Sequence, residues 1–478
     1  MNKTMNMTDD TVAAISTPLG EGGIGIVRLS GKDAIPIAEK LFTSPGGKKL
    51  SALRSHTLTY GFIKDSFTNA TVDEVLVAVM KAPRTYTKED VIEINCHGGL
   101  LPLRRTLELA LRNGARLAEP GEFTKRAFIN GRIDLSQAEA VMDLIRSKTE
   151  ESRETAFEQL SGGLSEKIVS LRERITSLCA HIEAYIDFPD EEIELSSMMS
   201  IRNELHDILN ALMLLSKSFE EGRFFREGLK VAIVGRPNVG KSSLLNALLN
   251  RDRAIVTDVP GTTRDILEEY LNIAGLPVRI MDTAGIRETH EMAEKEGVKR
   301  SLRAIRSADL AIGIIDGTNA LNEDDRVVLE KIKEKKHIIA VNKSDLPAAE
   351  DGLEKSIDQN SGTIVKISAK TGTGLNLLKE AIIDVGLGHR IRMRGERSGA
   401  GRSEGNSGAI VTNLRHKVAI DNALGALRNA SSAIESSLPL EIVAMEMRDG
   451  LDRVGEVVGA VTSEDILNRI FSEFCIGK

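Results

Sequence analysis

The hydrophobic pattern changes rhythm three times along the chain. Up to about residue 118, short β-rich runs at 25–30, 75–80 and 91–96 alternate with turn residues and one helical stretch at 100–113, the texture of a mixed α/β domain. Beyond Arg132 the pattern turns helical. Ser136 and Glu139 have the spacing of a capping box, and a polar, alanine-rich helix is expected from there to Leu160, stopped by Gly162 and Gly163. In the next helix Leu164, Ile168, Leu171, Ile175, Leu178, Ile182 and Tyr185 recur at alternating intervals of four and three, which puts all seven on one stripe. Such a stripe faces a bundle core or a dimer seam; the core is expected, because soluble helices usually bury these faces within their own domain. A further helix at about 201–219 carries Leu205, Ile208, Leu212 and Leu215.

An apolar strand at Leu229 opens an α/β region that continues to about Asp384. Arg390, Arg392, Arg394, Arg397 and Arg402 follow against Glu396 alone, running into a Gly/Ser-rich stretch that ends at Gly408. This reads as a flexible linker, with an RNA-contacting strip as its rival. Helical patterns return from about His416, with Thr462 and Asp465 expected to cap the last helix. The fold expected is α/β plus α, with a domain inserted into a discontinuous helical bundle. Its divisions fall at 1–130, 131–227, 228–386 and 387–478.

Composition narrows the function classes. With 63 Lys+Arg against 70 Asp+Glu and a formal charge of −7, the chain is not one that coats nucleic acid non-specifically, because counterion release needs a basic surface. The absence of Trp and the presence of only four Tyr argue against extensive base stacking. Cys96, Cys179 and Cys475 match neither a zinc spacing nor a disulfide framework, and suit a reducing compartment. The first ten residues carry no apolar core of signal-peptide length. No stretch approaches the roughly 18 apolar residues of a membrane span, so a cytoplasmic protein without membrane association is expected.

The chemistry begins at Gly235-Arg-Pro-Asn-Val-Gly240-Lys241-Ser242, between the strand at 231–234 and a helical run, the context that a phosphate-binding P-loop requires. Backbone amides would close around phosphates, Lys241 reach the β/γ-phosphates and Ser242 ligate magnesium. Asp282, Thr283, Ala284 and Gly285 follow the strand at 278–281, where a carboxylate serves magnesium and a glycine amide the γ-phosphate. Asn342, Lys343 and Asp345 follow another strand, and the Asp345 carboxylate can pair with the two N–H donors of guanine. Adenine offers no such pair, so GTP is the expected substrate. Ser368, Ala369 and Lys370 add a backbone N–H for the guanine carbonyl. The stretch 257–265 falls where the first switch belongs. The GTP-contacting set is thus Asn238, Val239, Gly240, Lys241, Ser242 and Ser243, then Thr257, Asp258, Val259, Pro260, Gly261, Thr262 and Thr263, with the three groups just named.

Ile286 stands where many small GTPases place a water-orienting glutamine, and it cannot do that work. Glu288, Glu291, Glu294 or Glu296, a bound cation or a partner would have to supply it. The rival is a GTP-bound clamp that hydrolyses poorly. Two further motifs read as decoys. Gly20-x-Gly-x-x-Gly25 runs into a strand instead of a helix, against a dinucleotide site, and Cys96-His97 reads as a buried thiol at a strand end.

The nucleotide motifs together with Asp187-Phe-Pro-Asp-Glu-Glu192, Pro120-Gly-Glu-Phe123, Arg126-Ala-Phe128 and Cys475-Ile-Gly-Lys478 closely resemble the MnmE (TrmE) family of tRNA-modification GTPases, over nearly the whole chain. The resemblance implies a folate-binding-like, dimerising N-terminal domain, a discontinuous helical domain and an inserted Ras-like GTPase domain. It implies a homodimer that works with the flavoprotein MnmG, as a heterotetramer, to install an aminomethyl or carboxymethylaminomethyl group at C5 of the tRNA wobble uridine, with a tetrahydrofolate one-carbon donor. Carried over by position, the 5-formyl-tetrahydrofolate contacts are Arg28, Glu93, Arg132 and Lys478; Arg132 replaces a lysine of some relatives, which keeps the charge and alters hydrogen-bond geometry. The family's G domains pair across the nucleotide and bind potassium, for which the matching residues are Asn238, Thr257, Val259 and Thr262. Thr263 matches the second magnesium ligand and Glu294 the acid that orients water, so Glu294 and Lys241 are the catalytic candidates. Cys475 has no base beside it in sequence, and a positioning role for the tail is preferred to nucleophilic attack. Rival functions are a ribosome- or RNA-assembly GTPase and a GTP-driven scaffold.

Overall fold

In the computed structural model, residues 10–188, 195–252, 269–281, 303–348, 362–388 and 409–478 are described. The first domain is a seven-stranded sheet of β1 (Val12–Ile15), β2 (Gly22–Ser30), β3 (Phe42–Thr43), β4 (Thr57–Lys64), β5 (Thr71–Met80), β6 (Val91–Gly98) and β7 (Arg116–Leu117), ordered β3-β4-β5-β6-β2-β1-β7. Only β1 and β7 pair in parallel. Helices α1 (Ala34–Leu41) and α2 (Leu100–Arg112) cover one face, where Val27, Leu29, Val77, Ile92, Ile94 and Leu109 are buried. The alternation of strand residues sends the next set outward: Leu58, Tyr60 and Leu76 are 64%, 46% and 45% exposed. Register sets Leu58 beside Ala78, Glu93 and Arg28 in one row across four strands.

After α3 (Glu122–Ile129) come α4 (Leu135–Arg146), α5 (Glu150–Leu160), α6 (Gly163–Asp187) and α7 (Leu195–Glu227). The α6 stripe is a bundle core: Leu164, Ile168, Leu171, Ile175, Leu178 and Ile182 are buried, with Tyr185 at its margin, against Leu205, Ile208 and Leu212 of α7. The same core takes Ile420, Leu427, Val443, Met447 and Val454 from α11 (Leu414–Glu435) and α12 (Leu440–Val458), so one bundle is built from two separated stretches of chain.

Four expectations are corrected. The box that opens α4 is Asp134 with Gln137, because Leu135 is already helical; Ser136 Oγ donates to Asp134 instead. The single helix to Leu160 is two, because Ser147 leaves the helical region and Thr149 caps a new start by accepting from Ser152 N. The last helix, α13 (Glu464–Ser472), is capped by Ser463, not by Thr462. The helix expected at 201–219 is also longer, and its end carries Phe224 out of the bundle into the core of the next domain.

That domain is a six-stranded sheet, β13-β12-β11-β8-β10-β9, made of β8 (Leu229–Val234), β9 (Glu269–Ile273), β10 (Leu276–Met281), β11 (Leu310–Asp316), β12 (Lys336–Asn342) and β13 (Thr363–Lys366). All pairs are parallel except β9 with β10. Its central strands read as near-continuous apolar runs because α8 (Lys241–Asp252), α9 (Glu323–Ile332) and α10 (Leu375–Leu387) leave no face of the sheet to water. Among the described residues, no helix is long and apolar enough to cross a membrane. The arginine-rich stretch 389–402 lies outside them.

Candidate functional site

Strands β8 and β12 are parallel members of one sheet, so their C-terminal ends open on the same edge, the place where such sheets bind ligands. The loop after β8 turns through Asn238 at φ 63° and Gly240 at φ 101° before α8 starts at Lys241. Gly240 has no alternative, since a Cβ there would overlap the Asn342 side chain. Val239 is fully buried and anchors the loop to the core. Lys241 Nζ donates to the carbonyls of Gly235 and Arg236, both at 2.8 Å, inside the loop that phosphates would occupy. Burial pushes its ammonium below the ordinary lysine range, so an anion that restores its charge pairing binds favourably. Ser242 and Ser243 follow in the first turn of α8.

Asn342 ties the phosphate loop to the 368–370 loop. Its amide donates to the Val239 carbonyl at 2.8 Å and its oxygen accepts from Ala369 N at 2.9 Å, in a position only 2% exposed. Ser368 Oγ donates to Asp345 at 2.6 Å and holds that carboxyl below its ordinary range, so it is ionised. Thr371 N in turn donates to Ser368 Oγ. Asn238, Val239, Gly240, Lys241, Asn342, Asp345, Ser368 and Ala369 are therefore one connected constellation. Thr257, Asp258, Val259, Pro260, Gly261, Thr262, Thr263, Asp282, Thr283, Ala284 and Gly285 lie outside the described residues, as do Glu288, Glu291, Glu294 and Glu296.

Behind this edge stands a network that motif reading passes over. Asp316 accepts from Lys343 Nζ at 2.7 Å and from the amide and hydroxyl of Thr318 at 3.0 and 2.7 Å. Burial opposes its charge, but Lys343 and Thr318 outweigh burial and hold the carboxyl at about 2. Arg236 of the phosphate loop pairs with Asp325 at 3.2 Å. The signal available in sequence was Asp316-Gly-Thr-Asn after an apolar strand, a self-bonding turn that fixes the chain where Lys343 needs a partner.

A second constellation lies on the first domain. Arg28 and Glu93 face each other on β2 and β6, with Arg28 Nε and Nη2 at 2.8 and 2.7 Å from Glu93 Oε1. The chain end docks beside them: Ile476 bridges to Pro120, Phe123 N donates to the Lys478 carbonyl at 3.1 Å, and Arg28 Nη1 donates to the Gly477 carbonyl at 3.3 Å. Gly477 has φ 95°, and a Cβ there would overlap the Ile15 carbonyl, so only glycine lets the tail lie this close to β1. Burial, and then the charge of Arg28, push the Lys478 ammonium down. Arg132 does not join this group. Its guanidinium lies 4.8 Å from the centre of the Tyr86 ring, in a recess lined also by His56, Arg84 and Lys88 and by none of the other three. Tyr86 packs on the cluster that holds Phe123, over which Arg28 lies at 5.5 Å, so the recess and the Arg28 group flank one apolar cluster.

Cys96 is buried, and its thiol is pushed up to about 11 by that burial; His97 reaches outward to Asp73 at 2.6 Å. Both fit a strand-end structural role. Cys475 is exposed.

The family model described as the MnmE helical domain matches residues 135–475, and that of the GTP-binding protein TrmE N-terminus matches residues 11–132. The tRNA modification GTPase MnmE of Acetivibrio thermocellus is 48% identical over 475 residues, covering 98% of this chain and 99% of that one. The protein of the same name from Carboxydothermus hydrogenoformans is 46% identical over 473 residues, covering 99% and 100%. Among solved structures, the G domain of the T. maritima FeoB iron transporter is 29% identical over 33% of this chain and 98% of that one, with a TM-score of 0.25.

Proposed function

The chain belongs to the MnmE (TrmE) family, and from that membership we infer that it is a GTP hydrolase of tRNA modification, acting on the wobble uridine in the cytoplasm. The observation that carries the nucleotide half is the Asn342 brace, which makes phosphate grip and guanine readout one rigid unit. Lys241 exchanges its loop carbonyls for the β/γ-phosphates, and Asp345, held by Ser368, selects guanine because an unmatched base would leave its charge unpaired. Magnesium and potassium, when bound, would supply positive charge against the negative charge developing on the phosphates as the γ-phosphoryl group passes to water. Ser242, in the first turn of α8, is assigned to magnesium with Thr263, and Asn238, Thr257, Val259 and Thr262 to potassium. Glu294 is assigned to orient water, an arrangement completed when two G domains associate.

The tail-side constellation is assigned to a 5-formyl-tetrahydrofolate. Its donor set fits such a ligand: both Arg28 contacts fall on Glu93 Oε1, so Oε2 can accept from the N–H edge of a pterin, while Arg28 and Lys478 can donate to its carbonyl oxygens. Arg132, with Arg84 and Lys88, suits the carboxylate end across the Tyr86–Phe123 cluster. The bound folate supplies a one-carbon unit; the chain's own residues orient it. Exposed Leu58, Tyr60 and Leu76, on the same sheet face as Arg28 and Glu93, support a homodimer that closes over this site, with the flavoprotein MnmG as the further partner. The test is nucleoside analysis of tRNA from cells carrying Lys241→Ala as the only copy. Loss of the modified wobble uridine is expected; its persistence at wild-type level separates GTP turnover from the modification.

A further inference from the structure

Helix α4 is about 18 Å long by its residue count, and it touches the supports of both sites. On one side Asp143 receives Arg226 Nε at 2.8 Å, immediately before the chain enters β8. Helix α5 grips the same root: Ser152 Oγ donates to the Phe225 carbonyl. The Glu151 carboxylate lies over Gly275 at the tip of the β9–β10 hairpin and leaves no room for a side chain there. Lys148, in the link between α4 and α5, stands 5.9 Å from the centre of the Tyr270 ring on β9. In sequence, this hairpin joins the loop containing Thr263 to Asp282.

On the neighbouring face of α4, Leu135, Ala138 and Met142 pack against Phe471 and Phe474. Arg146 Nη2 donates to the Glu473 carbonyl at 2.9 Å, two residues before Cys475. Mid-helix, buried Glu139 accepts from Asn413, Arg415 and His416 and fastens α4 to α11 about one turn before Asp143 and two before Arg146, so both contacts swing together about that point. A cavity lined by Asp143, Arg146, Ser152, Thr155, Gln159 and Arg226 adjoins both contacts and gives them room to repack.

We propose that α4 is a lever pivoting at Glu139, which passes a shift of the β9–β10 hairpin, through Glu151 and Arg226, to Arg146 and so to the tail that walls the folate-side pocket. Each joint is a named contact, and the lever needs only that the nucleotide state displaces the hairpin. Linkage makes the effect reciprocal: a ligand seated against residues 475–478 alters nucleotide affinity by the same factor. The inference deepens the proposed function by naming how its GTPase half governs its folate half.

The tail carries its own reporter. Cys96 and Cys179 are buried with thiols at about 11, so a thiol reagent at pH 8 reads Cys475. In the full chain, the labelling rate of Cys475 is expected to differ by roughly threefold or more between the GDP form and a form loaded with a non-hydrolysable GTP analogue. Arg146→Met, which cuts the tail end of the lever at an exposed side chain, should erase that difference while GTP turnover stays within about twofold of wild type. Glu151→Ala, which cuts the hairpin end, should do the same and decides the matter if Arg146→Met does not fold. A nucleotide-independent rate in wild type, or a difference that survives in a folded variant, overturns the lever. Calorimetry of wild type with 5-formyl-tetrahydrofolate is read separately: no heat there removes the ligand assignment and leaves the labelling result to stand.

Discussion

The nucleotide edge and the tail-side constellation are built by opposite strategies. The first gathers residues 235–243, 342–345 and 368–370, which parallel strands deliver to one edge and which Asn342 and Ser368 then lock together. The second joins Arg28 to Gly477 across 449 positions, and its fourth candidate, Arg132, sits in a neighbouring recess. A site made of strand ends is as stable as its sheet. A site walled by the short docked segment 475–478 is only as stable as the few contacts that hold it, which makes it the natural one of the two to be opened and closed.

The contrast is broken most severely by Lys241→Ala. GTP hydrolysis should fall at least ~100-fold, by analogy with the loss of one preorganised donor, while calorimetric folate binding is unchanged; a parallel loss of folate heat would mean that the two sites are not separable. Gly477→Val is the mirror experiment. Strain at a left-handed position and overlap with the Ile15 carbonyl should weaken folate binding roughly 10- to 100-fold, with basal GTP turnover kept. Asp345→Asn sharpens the guanine end: the amide should weaken GTP binding by about 10-fold or more and favour a xanthosine triphosphate, whose carbonyl accepts where guanine donates, as competition binding would show. The smallest effect concerns acid. Asp316 is held at about 2 when folded against 3.8 otherwise, so its contribution is complete above about pH 5 and is lost as pH falls toward 2. In denaturant titrations Asp316→Asn should flatten that part of the pH dependence by on the order of 1–2 kcal/mol, with unchanged curvature counting against the Lys343 pairing.

The same contrast explains what was legible in the sequence. The phosphate loop, the Asn342 and Asp345 positions and the α6 stripe are local patterns, and each lies where its spacing placed it. Helix starts were misplaced by a residue or two, because Asp134 and Ser136, or Thr462 and Ser463, are equally good caps and only the backbone chooses. The end of α7 was missed because Phe224 serves a different core from Leu212, and one period cannot describe two cores. The tail-side group has no spacing at all: Arg28, Glu93 and Lys478 could be joined only through family resemblance, and the Arg146–Glu473 contact through no sequence signal.

Because α6 and α7 share a core with α11 and α12, synthesis of the bundle is interrupted by everything between Glu227 and Leu414. At ordinary ribosomal speeds, Ile168, Ile175 and Ile208 wait on the order of 10–40 s for the helices that will cover them. During that interval a nascent chain carries a sticky, half-finished scaffold with a complete guest domain at its growing end, a form that trigger-type chaperones and premature self-association would compete for. Ribosome-bound chains halted before Leu414 should bind a hydrophobic dye or holdase that chains released past Val458 no longer do.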